Sequence, residues 1–235
     1  MTPTSAVVIV PTFNERDNLP VLLEILMLQT NVNVLVVDDH SPDGTGEIAD
    51  ALALSNPGRI DVMHRTERPG LGRSYVDGIQ SALRRPADVI CQMDADLSHD
   101  PRHLSALIAA TADADVVIGS RYIPGGAVVN WPRRRRILSR AANMYIRAVT
   151  RLRPRDCTSG YRCWRREALA KLPLDRFASD GYSFLIEMLY VAANQGLRIT
   201  EAPITFVERR LGESKLTTGV LLESAITPWR LVGRR

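Results

Sequence analysis

The sequence predicts an α/β protein built on an open, mainly parallel sheet flanked by helices, and three observations carry that expectation. Short Val/Ile-rich runs recur through the first half of the chain, apolar on both faces as buried parallel strands require. Segments with apolar residues at helical spacing lie between them. Turn-forming and acidic residues cluster where the apolar runs stop, as at Pro11 to Glu15, Asp38 to Asp43 and Asp94 to Ser98. Strand–helix alternation implies right-handed crossovers, and ligands then sit beyond the carboxyl ends of the strands.

Taken in order, strands are expected at Ala6–Val10, Asn33–Asp38, Ile60–Arg65, Asp88–Asp94 and Asp115–Ser120. Leu19, Leu22, Leu23 and Leu26 mark the first helix, Ile48 and Leu52 the second, Ile79 and Leu83 the third. Asp100-Pro101 places an N-cap before a proline at the first helical position, opening a helix that buries Leu104, Leu107 and Ile108. After Arg121 the pattern changes. A loop from Pro124-Gly125-Gly126 runs through Trp131-Pro132 into Arg133 to Arg136, and a helix follows with Leu138, Ala141, Ala142, Tyr145 and Val149 on one face. Tyr161 to Arg165 reads as a strand. Phe184, Leu185, Met188, Leu189 and Ala192 mark a helix stopped at Gly196, and Arg198 to Glu208 reads as one further strand. Near the end, Leu222, Ala225, Ile226 and Trp229 share a helical face that suits either a membrane interface or packing on the domain or a second copy; Pro228 would kink or end that helix.

The chain has 235 residues, 45% hydrophobic and 24% charged, enough for one large domain with a full core. Lys+Arg 30 against Asp+Glu 26 leaves a net charge of +4, unevenly spread. Acidic clusters fill the first half, whereas Arg133 to Arg136, Arg151, Arg153, Arg155, Arg162, Arg165 and Arg166 crowd the second, which points to an anionic partner. Aromatic content is 6% and no binding module is recognisable, so nucleic acid is not expected. Three cysteines without a CxxC pair suit reduced thiols in a reducing compartment. No signal peptide is recognisable, and runs such as Val21 to Leu28 fall short of the roughly 20 residues that span a bilayer.

The sharpest chemical signal is Asp94-Ala95-Asp96 after the run Val89 to Met93. Two carboxylates one residue apart at a strand end can hold a hard divalent cation and leave positions for phosphate oxygens; the plainer reading is a solvated acidic turn. Pro11-Thr12-Phe13-Asn14-Glu15 either caps a helix or faces a ligand, and Asp38-Asp39-His40-Ser41-Pro42-Asp43-Gly44 is either a turn or a source of acceptors for a base and ribose. Gly70-Leu71-Gly72 lacks the third glycine of a dinucleotide fingerprint, because Tyr75 stands there, and suits a helix start beside a cleft. The histidines show no zinc spacing; His99 reads as a support for the acidic loop.

On these segments the chain resembles the inverting glycosyltransferases of the GT-A fold, with a Rossmann-like sheet, and more narrowly the dolichyl-phosphate (polyprenol monophosphate) mannose synthases. Further matches are Gly119-Ser120-Arg121-Tyr122, Asn130-Trp131-Pro132, Asp156 to Arg162 and Arg209 to Lys215, so the similarity runs from about Ala6 to Lys215. The resemblance implies transfer of mannose from GDP-mannose to a polyprenyl phosphate with inversion, assisted by Mg²⁺ or Mn²⁺. Related transferases use UDP-glucose or deliver sugar to a polysaccharide hydroxyl, and these are the alternatives. By matching position, Pro11, Phe13, Glu15, Val37 and Asp39 would hold the nucleotide, and Asp94, Ala95 and Asp96 would contact the donor. Asp94, Asp96 and Ser98 would hold the metal, where some members carry glutamine in place of Ser98. Arg121, Arg135 and Ser139 would hold the acceptor phosphate, and Arg209 and Lys215 the donor diphosphate; Asp94, Asp96, Arg121 and Arg209 form the catalytic set. Asp156 would orient an arginine or act as a base. Residues 1–235 would form a single catalytic domain, with 1–122 the nucleotide-sugar half, 123–215 the acceptor half and 216–235 a carboxy-terminal amphipathic segment. The expected location is the cytoplasm, peripheral at the cytoplasmic face of a membrane. Contact is with the lipid surface through Arg133 to Arg136 and Trp131, or through a membrane-anchoring partner protein, since the membrane spans of some members are absent.

Overall fold

A computed structural model describes residues 4–66, 70–177, 179, 181–208 and 218–233. The chain begins with β1 (Ala6–Thr12), α1 (Leu19–Met27), β2 (Val32–Asp38), α2 (Thr45–Ser55), β3 (Ile60–His64), α3 (Leu71–Ala82) and β4 (Val89–Gln92). It continues with α4 (Leu104–Ala110), β5 (Val116–Ser120), β6 (Ala127–Val129), α5 (Arg133–Thr150), β7 (Arg162–Arg165), α6 (Arg166–Leu169) and α7 (Gly181–Asn194). The last described elements are β8 (Ile199–Pro203), β9 (Thr205–Val207) and α8 (Thr218–Gly233). Every strand foreseen in the first half is present. The Asp100 carboxylate accepts from the Arg102 N–H, capping a short 3₁₀ turn that leads into α4.

The main sheet has the order β3-β2-β1-β4-β7-β5-β8, and only β7 runs antiparallel to its neighbours. Residues alternate between two cores along each strand. Val7 and Ile9 of β1 face Tyr75, Ile79, Phe184 and Met188, whereas Val8 and Val10 face Leu19, Leu22, Leu23 and Leu26. Both faces are covered, which is why the strands read as continuous apolar runs. Helix α3 lies unusually close to β1 and β2, because a Cβ at Gly78 would stand 2.7 Å from Ile9 Cγ2 and 3.0 Å from Val37 Cγ2.

Several expectations need correction. The stretch Arg198 to Glu208 is two strands, not one. After Pro203, which has no N–H to continue the ladder, Ile204 donates to the Ser120 carbonyl and the chain crosses to pair β9 with β6. Helix α5 buries a different face from the expected one. Asn143, Ile146 and Thr150 point inward, while Leu138, Ala141 and Tyr145 face out. Polar Asn143 belongs inside because it donates to Thr158 Oγ1 and accepts from the Cys157 N–H at 2.7 Å. Helix α8 continues through Pro228, and its Thr227, Pro228 and Leu231 are buried as it packs on α5 and α7. The Tyr145 hydroxyl donates to the Ala225 carbonyl at 2.6 Å, tying α5 to α8. Arg162 does not join a cationic surface: it is buried, and donates to the carbonyls of Ser159, Cys157 and Leu185. Burial pushes its pKa down to about 10, so it keeps its charge at neutral pH. All three cysteines are buried free thiols.

Replacing Gly78 with Ala should cost about 1–3 kcal/mol, because overpacking against two β-branched side chains outweighs the helix preference of alanine. A urea midpoint equal to or above that of the wild-type protein would contradict the close α3–sheet contact.

Candidate active site

Because β1, β2, β4, β5 and β8 are parallel, their carboxyl ends meet at one edge of the sheet. Antiparallel β7 starts at that edge, so the loop from Asp156 to Tyr161 arrives there too. Residues far apart in sequence therefore converge on one place.

At the β1 and β2 ends the acidic turn is built from internal bonds. Asp38 accepts from the Ser41 hydroxyl at 2.6 Å and Thr12 Oγ1 at 3.2 Å, and Asp43 accepts from the Thr45 N–H and hydroxyl. Asp39 is buried with both oxygens engaged, one by Arg65 and the other by the Gly70 N–H at 2.7 Å. Arg65 also reaches Asp77 at 2.7 Å. Burial alone would lower the Arg65 pKa, but the two carboxylates outweigh it and hold the value above normal. Asp39 thus fixes the start of α3. Pro11 and Val37 are register partners with buried side chains, whereas Phe13 and Glu15 reach the surface. Neither Asn14 nor Glu15 caps α1. Asn18 occupies that position, and the Glu15 carboxylate accepts from Asn18 Nδ2. Glu15 lines a cleft of about 500 Å³ with Asn14, Arg16, Asn18, Pro42 and Asp43.

Beyond β4 the chain closes into a tight acidic loop, with Leu97 in the left-handed region at φ 60°. The Asp94 N–H donates to His99 Nδ1 at 3.1 Å, and the Asp94 carboxylate accepts from the Tyr75 hydroxyl at 3.0 Å. Asp96 accepts from the Ser98 N–H at 3.0 Å. The Ser98 hydroxyl is buried yet makes no hydrogen bond among the described residues. An orphaned hydroxyl beside two carboxylates fits a hard-cation site, because burying it without a partner is costly. Among the described residues, no cluster of three His, Cys, Asp or Glu side chains is present.

The arginine side adjoins this loop. Arg121 is buried and forked onto Asp156, with Nε and Nη2 each 2.7 Å from a carboxylate oxygen, and Nη2 also reaches Thr158 Oγ1 at 2.8 Å. Burial would raise the Asp156 pKa, but the Arg121 charge and hydrogen bonds outweigh it and hold the carboxyl below its usual range. Three rings surround the guanidinium: Tyr122 at 5.2 Å, Phe206 at 5.3 Å and Trp131 at 5.6 Å. Arg135 lies 4.1 Å over the Trp131 ring and is paired with Glu208, while Ser139 bonds the Tyr122 hydroxyl at 2.6 Å. Arg121, Arg135 and Ser139 therefore share one aromatic scaffold. A Cβ added at Gly126 would stand 2.6 Å from the Ser120 carbonyl, so only glycine lets the chain turn back over Arg121 toward that scaffold.

The acidic and basic halves touch through shared neighbours. His99 packs on Phe206 with ring centroids 5.6 Å apart, and Phe206 packs on Arg121. Gly160, four residues after Asp156, brings its Cβ position within 3.5 Å of Asp94. Arg209 and Lys215 lie outside the described residues. Sequence reading left Tyr75, Asn143 and Phe206 without a role in the site. Tyr75 carried a usable signal, a phenol inside a helix start beside a glycine turn, but the other two depend on contacts no local pattern encodes.

Comparison with known proteins bears on the family and the fold. The model of glycosyl transferase family 2 matches residues 7–172. The chain is 48% identical to the polyprenol monophosphomannose synthase of Mycolicibacterium smegmatis over 97% of its own length and 87% of the relative's. It is 46% identical to the undecaprenyl-phosphate mannosyltransferase of Micrococcus luteus, over 96% of this chain and 94% of that one. The crystal structure of glucosyl-3-phosphoglycerate synthase from Mycobacterium tuberculosis with Mn²⁺, UDP and phosphoglyceric acid superposes with a TM-score of 0.69 at 18% identity. That likeness spans 98% of this chain and 78% of the other, and it shows a shared GT-A-like fold. With the family match reaching from the first strand to the residues after α6, and relatives of nearly half identity, this chain belongs to glycosyl transferase family 2.

Proposed function

We propose that the protein transfers mannose from GDP-mannose to a polyprenyl phosphate with inversion, as the names of its relatives suggest for the sugar and the lipid. The observation that carries the reading is that one ring, Phe206, packs both on His99, which holds the Asp94 main chain, and on the fixed guanidinium of Arg121. Asp94 and Asp96 would hold a divalent cation, Mg²⁺ or Mn²⁺, with Ser98 Oγ as a further oxygen, and the structural neighbour solved with Mn²⁺ supports such a group. The cation, when bound, neutralises charge on the departing nucleoside diphosphate.

The remaining steps belong to this chain's own residues. Phe13 and Glu15, beside the 500 Å³ cleft, are placed to meet the nucleotide, with the main chain at Pro11 and Val37 and the anchored Asp39 behind them. A phosphate monoester is ionised at neutral pH, so the acceptor needs orientation rather than a base. Asp156 suits that economy: tied to Arg121 and held ionised, it orients and does not accept the acceptor's proton. Arg121, Arg135 and Ser139 would present donors to the acceptor phosphate. Because Arg121 and Arg135 are each paired with a carboxylate, they supply direction, and the exposed Arg133, Arg134, Arg136 and Arg140 supply net positive charge. Arg209 and Lys215 are assigned to the donor diphosphate by their matching positions alone. We assign residues 1–122 to donor binding, 123–215 to the acceptor apart from Arg209 and Lys215, and 216–235 to a carboxy-terminal amphipathic segment.

Among the described residues no helix is long and apolar enough to cross a membrane. The outer faces of α5 and α8 nevertheless expose Ile137 (68%), Leu138 (57%), Met144 (68%) and Trp229 (63%), and the first two directly follow the arginines that open α5. Apolar side chains rimmed by cations suit peripheral contact with an anionic lipid surface, here the cytoplasmic leaflet.

Purified protein given Mn²⁺ or Mg²⁺, a polyprenyl phosphate and labelled nucleotide sugars should move label from GDP-mannose into lipid, and Asp96→Ala should abolish transfer. Label arriving only from UDP-glucose would replace the donor assignment, and no lipid product would remove the acceptor assignment. Asp156→Asn should raise KM for the lipid more than for the donor and cost about 3 kcal/mol or more at pH 7, since it strands a buried guanidinium. The Asp156 pKa is depressed in the folded state, so its contribution is complete above the unfolded value of about 4 and is lost as pH falls through the lower folded value. The stability gap between wild type and Asp156→Asn should accordingly shrink below pH 4 in urea titrations. Vesicles rich in anionic lipid should sediment the protein in a salt-sensitive manner, and Leu138→Glu with Trp229→Glu should release it; wild-type protein that does not sediment with them would assign attachment to an anchoring partner.

A further inference from the structure

We propose that Tyr75 is a positioning residue of the cation site, setting the orientation of the Asp94 carboxylate and through it the affinity for a divalent cation. The inference rests on the reading of Asp94 and Asp96 as cation ligands. Tyr75 is fully buried in the first half of α3, and its hydroxyl donates to Asp94 Oδ1 at 3.0 Å. Its ring lies parallel to Phe184 of α7, with centroids 6.2 Å apart and planes 7° from parallel, and Phe177 packs edge-on against Phe184 at 5.7 Å. The phenol therefore cannot swing away without opening the core. The start of its helix is equally restrained, since Gly70 is bonded to Asp39 and the neighbouring Ser74 hydroxyl returns to the Gly70 carbonyl at 3.0 Å.

Two independent anchors thus act on Asp94: His99 on its main chain and Tyr75 on one side-chain oxygen. Oδ2 makes no hydrogen bond among the described residues, and the side chain is 37% exposed, so one oxygen is held and the other is presented. Groups that orient a ligating carboxylate commonly alter metal affinity by about 10–100-fold when removed.

Tyr75→Phe removes the hydroxyl and keeps the stacked ring, so the variant should unfold close to the wild-type temperature. Mn²⁺ binding is read from loss of the free-ion electron paramagnetic resonance signal, with protein alone and with GDP, against a GDP blank. The dissociation constant should rise about tenfold, and added Mn²⁺ should restore most of kcat. In an Asp94→Asn background the same change should have no further effect on Mn²⁺ affinity. An unaltered constant in folded Tyr75→Phe, or an equal loss in both backgrounds, overturns the role of Tyr75 while leaving the cation site standing. Wild-type protein that binds no Mn²⁺ with or without GDP overturns both.

Discussion

The site depends on a charge pair sealed from water. Taking Arg121 and Asp156 out of solvent carries a large desolvation penalty, and it is offset only because every part of the pair is served. The carboxylate receives two guanidinium donors and the Arg121 N–H, Thr158 adds a further bond, and aromatic rings lie around the cation. The loop carrying Asp156 is fastened in turn by Arg162, whose buried donors reach the carbonyls of Ser159 and Cys157, and by Asn143 from α5. Withdraw any of these and the guanidinium loses its direction. The arrangement is stiff where the proposed acceptor phosphate would be aimed, and on that reading its carboxylate supplies rigidity rather than proton transfer.

Much of the frame was legible in the sequence because parallel strands covered on both faces leave unbroken apolar runs, and because Asp100-Pro101 announces a cap through local chemistry alone. The acidic loop was legible for the same reason: its position follows from where an apolar run ends. Long-range partnership was not legible. Hydrophobic periodicity placed Leu138, Ala141 and Tyr145 inside α5, yet Asn143 and Thr150 take the inner face, since their hydrogen-bonding partners lie in the 156–160 loop and on the helix itself. The hydroxyl of Tyr75 and the ring of Phe206 acquire meaning only when distant strands bring Asp94 and Arg121 beside them.

The reversed face of α5 leaves apolar side chains outside, beside arginines that open a helix whose dipole disfavours them. Both features cost stability in a protein surrounded by water. Helix α8 adds to the same surface: it turns Thr227, Pro228 and Leu231 inward and leaves Trp229 outside, with Tyr145 tying the two helices together. Neither helix satisfies the usual economy of a water-facing surface, and the two share the exception.

Strand β7 has a consequence for how the chain acquires its shape. Cys91 of β4 finds its register partner only at Cys163, 72 residues later, and β5 pairs with the other edge of the same late strand. During synthesis the middle of the sheet therefore stands open until residues beyond Arg165 have left the ribosome, with β4 exposing a bare, apolar edge in the interval. A fragment ending near Tyr122 would keep that edge unpaired, and a bare apolar strand edge favours association with other chains. Assembly from such non-local pairing is slow by nature, and the opening lies directly beneath the acidic loop, which can take its final form only when the last central strand arrives.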